Sequence, residues 1–180
     1  MMHPELSKII VSENEIQARV NELAREINQD YNQVETVYLV GILKGAFIFL
    51  ADLARRLEVN HSVDFMALSS YGKTATSSGE VRLIMDLREP IIDKHVVIVE
   101  DIVDSGRTLG YLYRALGERK PASLKTCVLV RKERSNLNTP VDYLGFEIPD
   151  VWVVGYGLDY AETHRTLPYI AELKSEVYQK

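Results

Sequence analysis

The sequence predicts an α/β protein with a doubly wound, parallel sheet core flanked by helices. Two observations carry that expectation. Apolar β-rich runs alternate with amphipathic segments along the chain, and the first such pair follows in the order strand, glycine turn, helix. Strands separated by helices need crossover connections, and crossovers pair strands in parallel.

From the N-terminus, 12-SENEIQARVNELAREINQDY-31 reads as a helix with Ile16, Val20, Leu23 and Ile27 on one face, opened by a capping box of Ser12 and Glu15. The run 36-TVYLVGI-42 is a strand, 43-LKG-45 the turn after it, and 46-AFIFLADLARRL-57 a second helix. A third apolar segment, 62-SVDFMAL-68, leads into 69-SSYGKTATSSGE-80, where small polar residues and glycines predict a mobile loop. Strands are expected at 81-VRLIMDL-87 and 95-HVVIVE-100 about a turn at 89-EPIID-93, then a helix at 107-RTLGYLYRALGE-118. Two more strands are expected at 124-LKTCVLV-130 and 151-VWVVGY-156, flanking an irregular 131–150. The segment 168-PYIAELKSEVYQ-179 suits strand or helix.

A chain of 180 residues suits one compact domain with a single core. No apolar run approaches the roughly 18 residues that span a bilayer, and the start MMHPELSKII lacks the features of a signal peptide, so a cytoplasmic protein is expected. The lone Cys127, inside 126-TCVLV-130, reads as a buried thiol. A formal net charge of −5 offers no general attraction for nucleic acid or an anionic membrane, and neither is expected as a partner. Four scattered histidines without an HExxH give zinc little support, so a metal would be held by oxygen.

The chemistry concentrates in 97-VIVEDIVDSGRTLG-110, where an apolar strand breaks into Glu100, Asp101 and Asp104. Asp104, Ser105, Gly106, Arg107 and Thr108 then lead directly into a helix start. Backbone N–H groups and two hydroxyls converge there on the positive end of the helix dipole, which makes a phosphate cradle. Neither a Walker A motif nor a GxGxxG is present. Ionised Glu100 and Asp101 are acceptor-only, so their natural partners are sugar hydroxyls or a hard cation such as Mg²⁺. A phosphate beside a diol is a phosphorylated ribose, and Asp104 is placed to exchange a proton with what reacts at the sugar. The plainer alternative is that Asp104 and Ser105 only cap the helix.

The stretch 99-VEDIVDSGRTL-109 closely resembles the signature of the type I phosphoribosyltransferases, which use phosphoribosyl pyrophosphate (PRPP). Within that family, 41-GILKGAFIF-49 and 144-LGFEIPDVWVVGYGLDY-160 resemble the hypoxanthine-guanine branch, and the similarity runs from about Val37 to Pro168. The resemblance implies the type I phosphoribosyltransferase fold as one domain over 1–180, with a small hood subdomain built from the N- and C-terminal segments and a flexible loop at about 69–80. It implies transfer of the phosphoribosyl group from PRPP to hypoxanthine or guanine, with Mg²⁺ as cofactor, in a homodimer or homotetramer. A xanthine-preferring enzyme, or a PRPP-sensing nucleic-acid-binding regulator on the same scaffold, are the alternatives.

Residue by residue, the resemblance assigns Glu100 and Asp101 to the ribose hydroxyls and Mg²⁺, the turn 104–108 to the 5′-phosphate, and Asp104 to acid–base work at purine N7. Lys44 and Gly45 match the pyrophosphate loop, whose Leu43–Lys44 peptide is often cis in relatives. Arg165 matches a pyrophosphate-gripping arginine, and Asp159 a carboxylate that reaches a second Mg²⁺. Trp152 stands where an aromatic stacks on the purine, and the Val153 carbonyl would accept from its N1 or N2 edge. The base-reading lysine of the family aligns with Arg131, with Lys132 one step on. Adjacent strand residues face opposite ways, so only one of the two can face the base, and alignment favours Arg131. Ser70 and Tyr71 match the pair that closes the family's lid.

Overall fold

The computed structural model describes residues 3–70, 81–133 and 139–179. In chain order the elements are β1 (Leu6–Val11), α1 (Glu13–Asp30), β2 (Val37–Leu43), α2 (Phe47–Ala54), β3 (His61–Ser70), β4 (Val81–Met85), β5 (His95–Val103), α3 (Arg107–Gly117), β6 (Ser123–Lys132), β7 (Tyr143–Ile148), β8 (Val153–Val154), β9 (Ile170–Leu173) and a one-turn α4 (Ser175–Tyr178). They form a six-stranded sheet, ordered β4-β3-β2-β5-β6-β7, and a three-stranded sheet, ordered β1-β9-β8.

The large sheet is parallel except for β4, which pairs antiparallel with β3. Its central strands are apolar on both faces, as a doubly covered sheet demands. Val37, Leu39, Val97, Val99, Cys127 and Leu129 pack towards α1 and α2, while Val40, Ile42, Val96, Ile98 and Val128 pack towards Leu109, Leu112 and Leu116 of α3. The period of two along each strand thus sorts the core into two layers. Cys127 is fully buried, and burial raises its thiol pKa. The expected capping box is present: Ser12 Oγ accepts from the Glu15 amide at 3.3 Å while Glu15 Oε2 accepts from the Ser12 amide at 2.8 Å. Among the described residues, no helix is long and apolar enough to cross a membrane.

Several boundaries differ from the sequence reading. The irregular stretch 131–150 contains β7, which adds to β6 in parallel register, Val128 opposite Leu144. Its YLGFEI alternates too little to announce a strand, and pairing with β6 supplies the order. β1 has the burial pattern of an edge strand, Leu6 and Val11 in and Lys8 out, and forms only by joining β9 from the far end of the chain. The expected strand 151–156 shrinks to Val153–Val154 because Gly155, Tyr156 and Gly157 all take positive φ. The ambiguous C-terminal segment is both strand and helix, β9 then α4. The second helix ends at Ala54 rather than 57.

One buried carboxylate ties these layers to the site. Asp52 of α2 accepts from the Tyr156 hydroxyl at 2.6 Å and Gln17 Nε2 at 3.3 Å, and pairs with Arg55. Burial pushes its pKa up, but the hydrogen bonds from Tyr156, Gln17 and Arg55 outweigh that and hold it below the usual range. The left-handed turn at 155–157 is thereby anchored to α1 and α2.

Candidate active site

The strand order reverses between β2 and β5, because the chain moves outward to β3 from one and to β6 from the other. Loops leaving the carboxyl ends of two such strands diverge and open a crevice. Lys44 and Gly45 follow β2, and the Leu43–Lys44 peptide is cis. Glu100 and Asp101 lie near the end of β5. The two loops touch: a Cβ on Gly45 would stand 1.6 Å from Asp101 Oδ2, and one on Gly157 would stand 2.0 Å from the Gly45 carbonyl oxygen. Only glycine at 45 leaves room for the carboxylate beside it.

Glu100 is buried, and its Oε2 has no hydrogen-bond partner among the described residues. Asp101, half-buried, takes the Ile102 amide on Oδ1 at 2.9 Å. Burial, and after it the Asp101 charge, pushes the Glu100 pKa well above the ordinary carboxylate value. Burial raises Asp101 to about 6, with backbone hydrogen bonds and Arg165 opposing the rise and Asp159 adding to it. A raised folded-state pKa means that stability falls as pH rises from about 4 to 6 and stays lowered above. We expect Asp101→Asn to stabilise the ligand-free protein in chelator by about 1–2 kcal/mol at pH 7, and by nothing at pH 4. Denaturant unfolding at the two pH values checks this; equal stability of variant and parent at pH 7 contradicts it.

After β5 the chain turns through Asp104 and Ser105 to Gly106, which is the N-cap of α3 at φ 75°. No side chain caps this helix at that residue, so neither Asp104 nor Ser105 serves as the N-cap that the plainer sequence reading offered. Ser105 and Arg107 are exposed and Thr108 is half-buried. The first amides of α3 and the positive end of its dipole therefore open at this turn.

Beside this turn lies a cleft of about 210 Å³ lined by Asp101, Ile102, Asp104, Lys132, Trp152, Val153, Leu158 and Asp159. The cleft corrects the preference for Arg131. In the β6–β7 register Arg131 stands opposite Glu147, and the two side chains pair on the outer side, away from the cleft. Lys132 points the other way and is buried, its ammonium 3.4 Å from Asp104 Oδ2 and 3.4 Å from Asp150 Oδ1. The alternation of the strand places Lys132, and not Arg131, against the pocket. Trp152 stacks on Tyr178 with ring centroids 5.3 Å apart, meets Tyr160 edge-on, and remains 45% exposed.

On the opposite side of Asp101, Arg165 donates to the Gly157 carbonyl at 2.9 Å and pairs with Asp159 at 2.8 Å, while its buried Nε has no partner among the described residues. Glu162 bridges two cations, reaching Lys44 Nζ at 3.0 Å and Arg165 Nη2 at 3.2 Å. Sequence reasoning named both cations but neither Glu162 nor Asp150. Glu162 lies three residues from Arg165, yet its link to Lys44, 118 positions away, exists only in the fold. Ser70 is the last residue of β3, and Tyr71 with the rest of 71–80 lies outside the described residues.

Comparison with known proteins agrees with this geometry. The phosphoribosyl transferase domain family matches residues 8–161. A hypoxanthine-guanine phosphoribosyltransferase of Dictyostelium discoideum is 51% identical over 177 residues, covering 96% of this chain and 98% of its own. A hypoxanthine phosphoribosyltransferase of Escherichia coli K12 is 46% identical over 168 residues, 92% of this chain and 94% of its own. The solved structure of a Trypanosoma cruzi hypoxanthine phosphoribosyltransferase in complex with the product IMP superposes with a TM-score of 0.91 at 44% identity, covering 99% of this chain and 100% of that one. With its acidic strand end, glycine turn before α3 and adjoining cleft, the chain belongs to the phosphoribosyltransferases, in their hypoxanthine-guanine branch.

Proposed function

We propose that the protein transfers the 5-phosphoribosyl group of PRPP to N9 of hypoxanthine or guanine, giving IMP or GMP and pyrophosphate, a purine-salvage reaction. One observation carries the reading: a cleft edged by Trp152, Val153 and Lys132 is also lined by Asp101 and Asp104, and Asp104 leads within two residues to Gly106, the N-cap of α3, so a base and a phosphorylated ribose can lie side by side. The 5′-phosphate takes the turn from Asp104 through Ser105, Gly106 and Arg107 to Thr108, held by backbone amides and the helix dipole. Glu100 and Asp101 accept from the ribose hydroxyls. The purine lies on the Trp152 indole, with Lys132 donating to O6 and the Val153 carbonyl accepting from the N1 or N2 edge.

Asp104 then holds the proton at N7 as N9 attacks C1′, and Lys44, Gly45 and Arg165 orient the departing pyrophosphate. The acidic pair suits Mg²⁺: a buried carboxylate oxygen without a partner and two raised carboxyl groups are what a hard cation relieves. Glu100 and Asp101 would hold one ion, and Asp159, which retains acceptor capacity beyond Arg165 and the Glu162 amide, a second. Bound there, Mg²⁺ supplies charge neutralisation for the leaving group. Ser70 and Tyr71 are proposed to close over PRPP and exclude water. A cytoplasmic homodimer or homotetramer is the assembly proposed.

Incubation with PRPP, Mg²⁺ and each of hypoxanthine, guanine, xanthine, adenine and uracil tests the reading. Nucleotide is expected from hypoxanthine or guanine, and its absence from both overturns the proposal. Glu162 offers a finer check. Because its carboxylate occupies Lys44 and Arg165, pyrophosphate must displace it. Glu162→Gln is expected to lower the Michaelis constants for PRPP and pyrophosphate about two- to five-fold, the modest effect of an exposed ion pair, without changing that for the purine. An unchanged or raised constant for pyrophosphate would remove this competition.

A further inference from the structure

A second cluster of potential ligands lies outside the phosphoribosyl site, where the two ends of the chain meet. His3 and Glu5 flank Pro4 in the turn that enters β1, closed by a hydrogen bond from the Leu6 amide to the His3 carbonyl at 3.0 Å. Lys174 fixes that turn from the other side, its amide on the Glu5 carbonyl at 2.9 Å and its ammonium on the Pro4 carbonyl at 2.6 Å. His164 comes from the loop that carries Asp159 and Arg165, where its φ of 70° turns the chain back on itself. The three donor atoms, one each from His3, Glu5 and His164, all lie within 4.8 Å of one another.

We propose that His3, Glu5 and His164 bind a borderline transition-metal ion of the Zn²⁺, Ni²⁺ and Cu²⁺ class, clipping the N-terminal turn to the loop that bears Arg165. Two imidazoles and one carboxylate are the donors such ions prefer, and Mg²⁺ is a poor match for the nitrogens. The spacing is close to what coordination needs. Four-coordinate zinc with ligands at about 2.0–2.1 Å holds its donors about 3.3 Å apart. Here Glu5 Oε2 is 2.8 Å from His164 Nε2 and 3.7 Å from His3 Nδ1, so sub-ångström adjustments suffice for those two pairs.

His3 can supply them, being half-exposed near the chain start, while the His164 side chain is only 8% exposed and provides a fixed point. Nδ1 of His3 accepts from the Glu5 amide at 3.4 Å, so that nitrogen is unprotonated, and an ion takes its one lone pair in exchange for this long hydrogen bond. The ion takes the place of the hydrogen between His164 Nε2 and Glu5, the imidazole proton moving to Nδ1, so that one carboxylate and two neutral imidazoles are its ligands. Solvent beside His3 and Glu5 completes its coordination.

Zn²⁺ titrated calorimetrically into the full chain, freed of metal by chelator and saturated with Mg²⁺ without PRPP, is expected to bind with one-to-one stoichiometry and to raise Tm. His3→Ala, at an exposed position, and Glu5→Gln, at a half-buried one, are each expected to weaken binding about tenfold or more and to abolish the Tm shift. Co²⁺ in place of Zn²⁺ should give a visible spectrum of nitrogen ligation that is lost in His3→Ala. Zn²⁺ binding that is absent, or that survives both substitutions unchanged because it occurs at Glu100 and Asp101 instead, overturns the proposal. Neither result bears on the transferase reading, since that reaction is assayed with Mg²⁺.

Discussion

Asp104→Asn is expected to lower kcat by about 10²–10⁴-fold, the usual consequence of removing a general acid–base group. Asn preserves the size and much of the polarity of the side chain but cannot exchange a proton at purine N7. The position of Asp104 makes the effect one of chemistry rather than of binding. It stands at the mouth of the α3 turn and on the wall of the cleft, 3.4 Å from the Lys132 ammonium, while the helix amides proposed to receive the phosphate come from the backbone beyond it. PRPP affinity, measured by calorimetry, should therefore change little as single-turnover rates collapse. Unaltered turnover would take the proton-transfer role away from Asp104.

Lys132→Ala is expected to raise the Michaelis constant for the purine about tenfold to a hundredfold, while Arg131→Ala leaves it within about twofold. A hydrogen bond from a charged donor contributes about 1.5–3 kcal/mol, and tenfold corresponds to about 1.4 kcal/mol. The asymmetry follows from the strand. Lys132 is buried between Asp104 and Asp150, whereas Arg131 is bound to Glu147 on the opposite side. Removing the ammonium also leaves two carboxylates less well neutralised, so kcat should fall as well. Michaelis constants for hypoxanthine and guanine, with melting curves to verify folding, decide the matter. A larger effect from Arg131 than from Lys132 would refute the assignment to Lys132.

The acidic strand end shows how site and stability oppose each other. Glu100 and Asp101 destabilise the ligand-free fold, since both are raised by burial without a counter-charge close enough to offset it. Under the proposed function, the cation or diol that binds there would offset this cost, and its binding energy would return the stability. The buried Asp52 shows the contrasting case, where Tyr156, Gln17 and Arg55 satisfy the carboxylate within the fold.

The chain's own pattern determined the doubly wound core, the capping box of α1, the glycine turn into α3 and the acidic pair, because each is written in local periodicity or in a short run of residues. The unbroken apolar runs of β2, β5 and β6 need no distant partner to be read. What only the tertiary structure decided depends on pairing between segments far apart. β1 and β7 gain their order from neighbours, β4 runs antiparallel, and Lys132 rather than Arg131 faces the cleft because the β6–β7 register puts Arg131 opposite Glu147. Glu162 reaching Lys44, and His164 reaching Glu5 across 159 positions, are of the same kind. A period of two says that neighbouring residues face opposite ways; which way is inward is set by the strand that packs beside them.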